Sequence, residues 1–270
     1  MLGKTAFILD MRKEIMQILT AVEDGILRLQ INRPEKKNAL TVAMYADMAA
    51  ALTQAEHDPA VRVVLIHGHP EVFSSGNDLQ DFVSTPPIGE DQPVFQFLLA
   101  ISTAAKPIIA AVTGPAIGIG TTMLLHCDLV YAAESARFQL PFVNLALVPE
   151  AASSLLLPAQ IGYRRAAELL MLGEPFSAAK AMEYGLITEM TAEGDAALIA
   201  AKTAAKKLAS KPPAALRLTK MLMKKNGADD IAKQMSEEAA HFVQQLRSPE
   251  AAEAFKAFYE KRAPDYSRFS

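Results

Sequence analysis

The chain has 270 residues, of which 51% are hydrophobic and 21% charged, with a formal net charge of −3. So much apolar side chain excludes a disordered chain, and a near-neutral balance without a basic stripe argues against a nucleic-acid binder. The single cysteine, Cys127, excludes a disulfide framework within the chain and fits a reducing compartment.

In chain order, the N-terminal stretch has no apolar run followed by a cleavage pattern, so it reads as structure or extension rather than a secretory signal. Asp10 and Glu14 argue against a mitochondrial address. Alternation in GILRLQINRP predicts a strand that ends at Pro34. Residues 39–56 fall on helical spacing, with Thr41 as cap and Asp58-Pro59 as stop. Met44 and Met48 there read as core filler. VRVVLIHG predicts a buried strand, PEVFSSGNDLQDF a turn running into a helix, and STPPIGEDQP a mobile rim.

Residues 94–105 predict a helix, and KPIIAAVTG a third strong strand. TTMLLHCDLVYAA reads as helix then strand, and ARFQLPF as a short extended piece. The uncharged stretch from Pro107 to Leu125 approaches membrane-spanning length. Its two prolines and three glycines make it a strand, a tight turn and a helix start instead. Beyond Gly162 the pattern turns helical: YRRAAELLMLG and SAAKAMEYG close on glycine, AALIAAKTAAKKLAS is amphipathic, and Pro212-Pro213 is a break. SPEAAEAFKAFYEKR is a last helix capped by Ser248. Strands alternating with helices predict an α/β fold.

Two glycine turns are the first chemical signal. SSGNDL turns sharply at Ser75-Gly76, and GPAIGIGTT brackets Ile119 between Gly118 and Gly120 at a helix start. A free Ile119 amide there would stabilise negative charge, and two such donors on one oxygen make an oxyanion hole. Each turn read alone also serves simple chain reversal. Neither fits a dinucleotide or nucleoside-triphosphate fingerprint.

FSSGNDL, KPIIAAVTGPAIGIGTTMLLHCDLVYA and ARFQLPFVNLALVPEAASS occur in an order that resembles the enoyl-CoA hydratase/isomerase (crotonase) superfamily. The resemblance runs on through GEPFSAAKAMEYGLITEM to AFYEKR and covers nearly everything after about Glu23. It implies an N-terminal extension (1–22), a ββα spiral core (23–205) and a C-terminal helical region (206–270) that assembles homotrimers, often paired into hexamers. It implies an acyl-CoA thioester substrate with CoA carried on it, no separate cofactor and no metal. Ser75 and Ile119 would present the two backbone donors. Lys36, Lys37 and Asn38 would meet the CoA phosphates and adenine, although a solvated charge cluster is the default for such lysines. Ser75, Asn77 and Leu79 would give backbone contacts to the pantetheine or adenine, Asp78 and Gly118 would join the substrate and CoA contacts, and Phe258 and Lys261 would reach in from a neighbouring subunit's last helix.

The departures choose among activities. A hydratase of this superfamily uses two glutamates, and their positions fall near Thr122 and Phe142, which carry no acid. VPEAASS instead resembles the stretch of peroxisomal-type Δ3,Δ2-enoyl-CoA isomerases whose glutamate is the catalytic base, here Glu150. Its apolar neighbours Leu147, Val148 and Leu155 to Leu157 would raise its pKa by desolvation. The leading expectation is isomerisation of 3-enoyl-CoA to trans-2-enoyl-CoA by one glutamate. The alternatives are an atypical hydratase or other enolate-forming relative, and a non-catalytic acyl-CoA-binding protein. Asp78 reads as a turn holder or helix cap, and Asn144 as an orienting or loop-stabilising amide. His67 and His69 lack partners for a metal site. His126-Cys127 packs inside a helix rather than transferring acyl groups. The acyl chain would lie along the helix after Asp81 and the stretch from Phe95 to Leu99. Without secretion or membrane signals, and with SRFS in place of a peroxisomal SKL, the expected location is the cytoplasm.

Overall fold

The computed structural model describes residues 16–84 and 91–269. Asp10, Glu14 and most of the expected N-terminal extension lie outside the described residues, as do positions 85–90 of the expected rim. The strands are β1 (Ile18–Glu23), β2 (Ile26–Ile31), β3 (Val63–His67), β4 (Ile108–Val112), β5 (Pro115–Ile117), β6 (Leu129–Ala133), β7 (Arg137–Gln139), β8 (Phe176–Ser177) and β9 (Glu189–Thr191). A six-stranded sheet runs β1-β2-β3-β4-β6-β9, antiparallel only at β1–β2. β3 and β4 are buried at every position, which is why they read as unbroken apolar runs in the sequence. A smaller sheet, β5-β7-β8, stands beside the first and carries one of the glycine turns.

The helices are α1 (Val42–His57), α2 (Leu79–Ser84), α3 (Pro93–Thr103), α4 (Ile119–Thr122), α5 (Ser153–Ile161), α6 (Tyr163–Ala167), α7 (Ala178–Glu183), α8 (Ala196–Ala209), α9 (Pro213–Lys224), α10 (Ala228–Leu246) and α11 (Pro249–Tyr259). α1 opens where Thr41 Oγ1 accepts from the Met44 amide, and Asp58 is its C-cap. It packs Met44, Tyr45, Met48 and Leu52 into one core with Phe97, Leu98 and Ile101 of α3. On the other face of the large sheet, α8 buries Ala197, Ala201, Ala204 and Ala205 against Val63, Leu65 and Ile109. Alanine at those positions lets the helix lie close to the strands.

Three expectations are adjusted. The boundary at residue 22 cuts through β1, an edge strand with only Ile18 buried, so its sequence shows little apolar alternation. The boundary at 205 falls inside α8, which runs unbroken to Ala209. YRRAAELLMLG is not one helix: α6 gives way to a π-helical turn over Glu168–Leu172 that ends at Gly173. The stretch from Pro107 to Leu125 resolves into β4, β5, α4 and a 3-10 turn, and no helix of the described residues is long and apolar enough to cross a membrane.

The C-terminal helices are tied to the core by polar anchors as well as apolar packing. Phe242, Ala251 and Phe255 join the main core. Lys220 of α9, buried, donates to the Lys106 carbonyl (2.9 Å) and to Asp128 Oδ2 (2.7 Å). The same carboxylate oxygen accepts the Ile108 amide at 2.7 Å, at the start of β4. Removing one partner of such a pair strands the other charge. Lys220→Ala is therefore expected to cost about 2–3 kcal/mol, a fall of roughly 5–10 °C in melting temperature read by calorimetry. An unchanged melting temperature would show that the anchor contributes nothing.

Candidate active site

The two glycine turns are zipped together by their backbones. Phe73 and Ser74 amides both donate to the Pro115 carbonyl, at 3.1 and 3.0 Å, and the Ile117 amide donates back to Ser74 O at 2.9 Å. The approach leaves no room for side chains. A Cβ on Gly120 would lie 2.9 Å from Ser74 O, and one on Gly76 would lie 3.1 Å from Ile117 O. Gly118, at φ +55°, turns the chain so that α4 starts at Ile119. Its own amide donates to Gln139 O at 2.9 Å. The Ile119 amide, first in the helix, has no partner among the described residues.

On the first turn the free donor is not where the sequence placed it. The Ser75 amide donates to Lys37 O at 3.0 Å, so Ser75 is corrected: its N–H is already spent. A short parallel bridge between Leu40 and Asn77 explains the offset. The Leu40 amide donates to Gly76 O and the Asp78 amide to Leu40 O, both at 2.8 Å. Because strand backbones alternate sides, the intervening Asn77 N–H faces away from that bridge and is unpartnered among the described residues. The Tyr45 hydroxyl donates to Asn77 Oδ1 and fixes the residue from α1. Burial, followed by the charge of Glu150, raises the Tyr45 pKa well above its usual value, so the phenol stays a donor.

These turns border a cavity of about 770 Å³. Lys36, Lys37, Ser75, Asn77, Asp78 and Leu79 line one side of it. Gly118, Ile119, Asn144, Glu150 and Phe258 also line it. Asn38 does not: it is fully buried, and its side-chain amide donates to the carbonyls of Ile31, Val72 and Phe73 while accepting from the Arg33 amide. Its expected ligand role is corrected to a structural one. Lys261 is also absent from the lining. Within this chain, α11 supplies Phe255, Phe258 and Tyr259 to the cavity. Arg262 follows them there, held by Glu253 at 2.6 Å.

Two carboxylates reach the cavity, and their surroundings differ. Asp78 is tied on both oxygens: Oδ2 meets Arg33 Nη1 at 2.7 Å, and Oδ1 accepts the Gln80 and Asp81 amides at the start of α2. Burial pushes its pKa up, but the Arg33 hydrogen bond and the two amides outweigh that and hold it below the usual range. Glu150 is buried at 7% exposure, and its Oε1 has no hydrogen-bond partner among the described residues. Desolvation, aided by the negative charge of Glu238, pushes its pKa up to about 8. One acid is a fixture and the other is free to exchange a proton.

The positions where a second acid would be required are apolar or sealed. Phe142 is buried against the cavity. Thr122 is fully buried with its hydroxyl unpartnered, and it does not reach the lining. A side pocket of about 20 Å³ adjoins Glu150, walled by Phe82, Phe95, Leu98 and Phe242. Phe82 and two members of the Phe95–Leu99 stretch are thus at the site, whereas Leu99 is exposed. Asn144 lines the cavity with its Oδ1 against Gly173, where a Cβ would come within 1.9 Å. His126 Nε2–H donates to Ala151 O at 2.8 Å, and burial lowers the ring's pKa to about 4, so it stays neutral. Burial raises the Cys127 thiol to about 12, which leaves it inert. Among the described residues no cluster of three or more His, Cys, Asp or Glu could hold a metal ion.

The sequence reading missed Tyr45, Arg262 and Glu238. Glu238 left a signal, because it sits on the apolar stripe of α10, in step with Ile231, Met235, Phe242 and Leu246.

The fold, an α/β spiral, agrees with comparisons to known proteins. The chain belongs to the Enoyl-CoA hydratase/isomerase family, whose profile matches residues 21–268. It is 34% identical over 256 residues to Enoyl-CoA delta isomerase 2 of Rattus norvegicus, covering 93% of this chain but 65% of that protein. It is 34% identical over 255 residues to a probable enoyl-CoA hydratase of Bacillus subtilis, covering 92% of this chain and 98% of that one. The structure of Pseudomonas aeruginosa OdaA superposes with a TM-score of 0.88 at 48% identity, over 90% of this chain and 98% of that one. The fold is the crotonase ββα spiral with a C-terminal helical region. Relatives named as isomerases and as hydratases match equally well, so the choice between activities rests on the site.

The buried acid also makes stability depend on pH. The folded Glu150 pKa of about 8 lies above its usual 4.5, so folding favours the protonated form. Its contribution is fully present below the usual value and is lost as pH rises through about 8. Glu150→Gln, which cannot ionise, is expected to melt about 5 °C or more above the parent at alkaline pH, with the gap closing in mild acid. A gap independent of pH, measured by thermal unfolding across the range, would place the titration elsewhere.

Proposed function

We propose that the protein is a Δ3,Δ2-enoyl-CoA isomerase in which Glu150 alone carries the proton. The observation behind this reading is that Glu150 is the one cavity-lining carboxylate not tied by a cation or capped amides. Glu150 takes the C2 proton of a 3-enoyl thioester. The C–H electron pair then spreads over the thioester carbonyl and the C3=C4 bond. Returning the proton to C4 leaves the double bond between C2 and C3. Negative charge collects on the thioester oxygen, where the Ile119 and Asn77 amides are the available donors, and donors aimed there lower the barrier selectively. A carboxylate whose pKa is raised toward the working pH is a stronger base than an exposed one and still returns the proton.

In the same proposal Lys36 and Lys37 attract the CoA phosphates, and the acyl chain runs past Glu150 toward the apolar side chains of Phe82, Phe95 and Leu98. Assembly into trimers belongs to it as well, because Leu218, Met221, Leu222 and Met223 leave an apolar face uncovered on α9. Sedimentation at the mass of a monomer would contradict that part.

A second reading, hydration of a 2-enoyl thioester, is favoured by the similarity to the Bacillus subtilis protein. It lacks a second free acid to work with water, since Asp78 is bound by Arg33.

Incubation with trans-3-enoyl-CoA is expected to give trans-2-enoyl-CoA, with turnover rising as pH passes about 8. Glu150→Gln is expected to lower kcat by about 10³-fold or more while thioester binding stays within a few-fold. Accumulation of 3-hydroxyacyl-CoA, or a Glu150→Gln variant with parental turnover, would remove the isomerase assignment.

A further inference from the structure

We propose that Glu238 of α10 is the positioning residue of this proton shuttle, holding from outside the turn on which Glu150 is mounted. The inference rests on the reading of Glu150 as the shuttle. It begins with backbone strain. Ala151 and Ala152, directly after Glu150, stand at φ +61° and +55°, two successive residues with a Cβ in the left-handed region. L-residues disfavour that region, so the surroundings must hold them there.

Locally the turn is closed by a single bond, from the Ser153 amide to the Glu150 carbonyl at 3.1 Å. Ala152 is the N-cap of α5 and has no side-chain oxygen to offer its open amides. Glu238, 86 residues away, fills that role. The Ala152 amide donates to Oε2 at 2.6 Å, and the Ser154 amide and hydroxyl donate to Oε1 at 2.9 and 2.5 Å. Gln234, one turn earlier on α10, donates to Ser154 Oγ at 3.0 Å, which leaves the hydroxyl proton for Glu238. From the opposite side His126 Nε2–H grips the Ala151 carbonyl. The turn is clamped between a carboxylate and a neutral imidazole, and Glu150 projects from it to the cavity wall.

The clamp is also electrical. Burial raises the pKa of Glu238 as well, but its three donors oppose that rise, whereas Glu150 has an oxygen with none and holds its proton the more tightly. The other groups facing the two carboxylates are Glu237 on α10, the Tyr45 phenol from α1 and the uncharged His126 ring. None is a cation. Glu238 therefore fixes the place of Glu150 and strengthens its hold on the proton.

The test uses full-length Glu238→Gln and Glu238→Ala, with Glu150→Gln as reference, assayed for kcat and KM on trans-3-enoyl-CoA over about pH 6 to 10. Glu238→Gln keeps an acceptor for one of the two amides but loses the charge. Its kcat–pH midpoint is expected to fall by about one pH unit, with KM within about twofold of the parent. Glu238→Ala loses the clamp too, and its kcat is expected to fall about 10- to 100-fold. A side chain that merely stabilised the fold would lower melting temperature without moving the midpoint. An unshifted midpoint in Glu238→Gln overturns the proposal, and that variant carries the test if Glu238→Ala does not fold. A fully active Glu150→Gln removes the shuttle and this role together. An inactive Glu150→Gln beside parental behaviour in both Glu238 variants removes the role of Glu238 alone.

Discussion

A carboxyl group kept out of water, with one oxygen left unpartnered, is the constraint around which this site is organised. Burying a carboxylate is costly unless it is neutralised or hydrogen-bonded. The fold satisfies Asp78 by the second route, with Arg33 and the amides of α2. It leaves Glu150 to the first. The contrast sits within one cavity and comes from neighbours, since both residues are ordinary acids in solution. Such a division separates a structural acid from one able to exchange protons.

The apolar walls have a second consequence. Water admitted freely would solvate Glu150 and screen the two open amides, weakening both. Phe142, Phe242, Phe255 and Phe258 line the cavity together with Glu150, and the last two come from the chain's own final helix. That helix is held by Glu253, which binds Arg262 at 2.6 Å and Arg268 at 3.0 Å, and by the Tyr266 hydroxyl on Asn144 O. The C-terminal helix thus builds the environment of an acid more than a hundred residues earlier.

The sequence carried the fold where burial leaves a period. β3 and β4 are continuous apolar runs because both faces are covered, α1 shows its cap and its stop, and Ser248 caps α11 by accepting the Ala251 amide. β1 stayed hidden because an edge strand has few buried positions to mark it. The site was legible to the level of the turn but not of the atom. Ile119 followed from the glycines on either side of it. Ser75 did not hold, because which amide of a turn is free depends on what the rest of the backbone pairs with, here Lys37 and Leu40. Asn38 failed for a related reason: an asparagine beside two lysines looks like a ligand, yet the fold spends it on three carbonyls. Glu150 was singled out by resemblance, and its burial depends on helices far along the chain.

The claim at the centre is that one carboxyl group moves a proton between two carbons of the same substrate. The direct measurement is isomerisation of 3-enoyl-CoA carrying deuterium at C2, with the label located in the product by NMR. Deuterium appearing in part at C4, and lost when Glu150 is replaced by glutamine, is the result expected of a single buried base. Product formed with no label at C4 even at early times, or at the same rate in the glutamine variant, would contradict it.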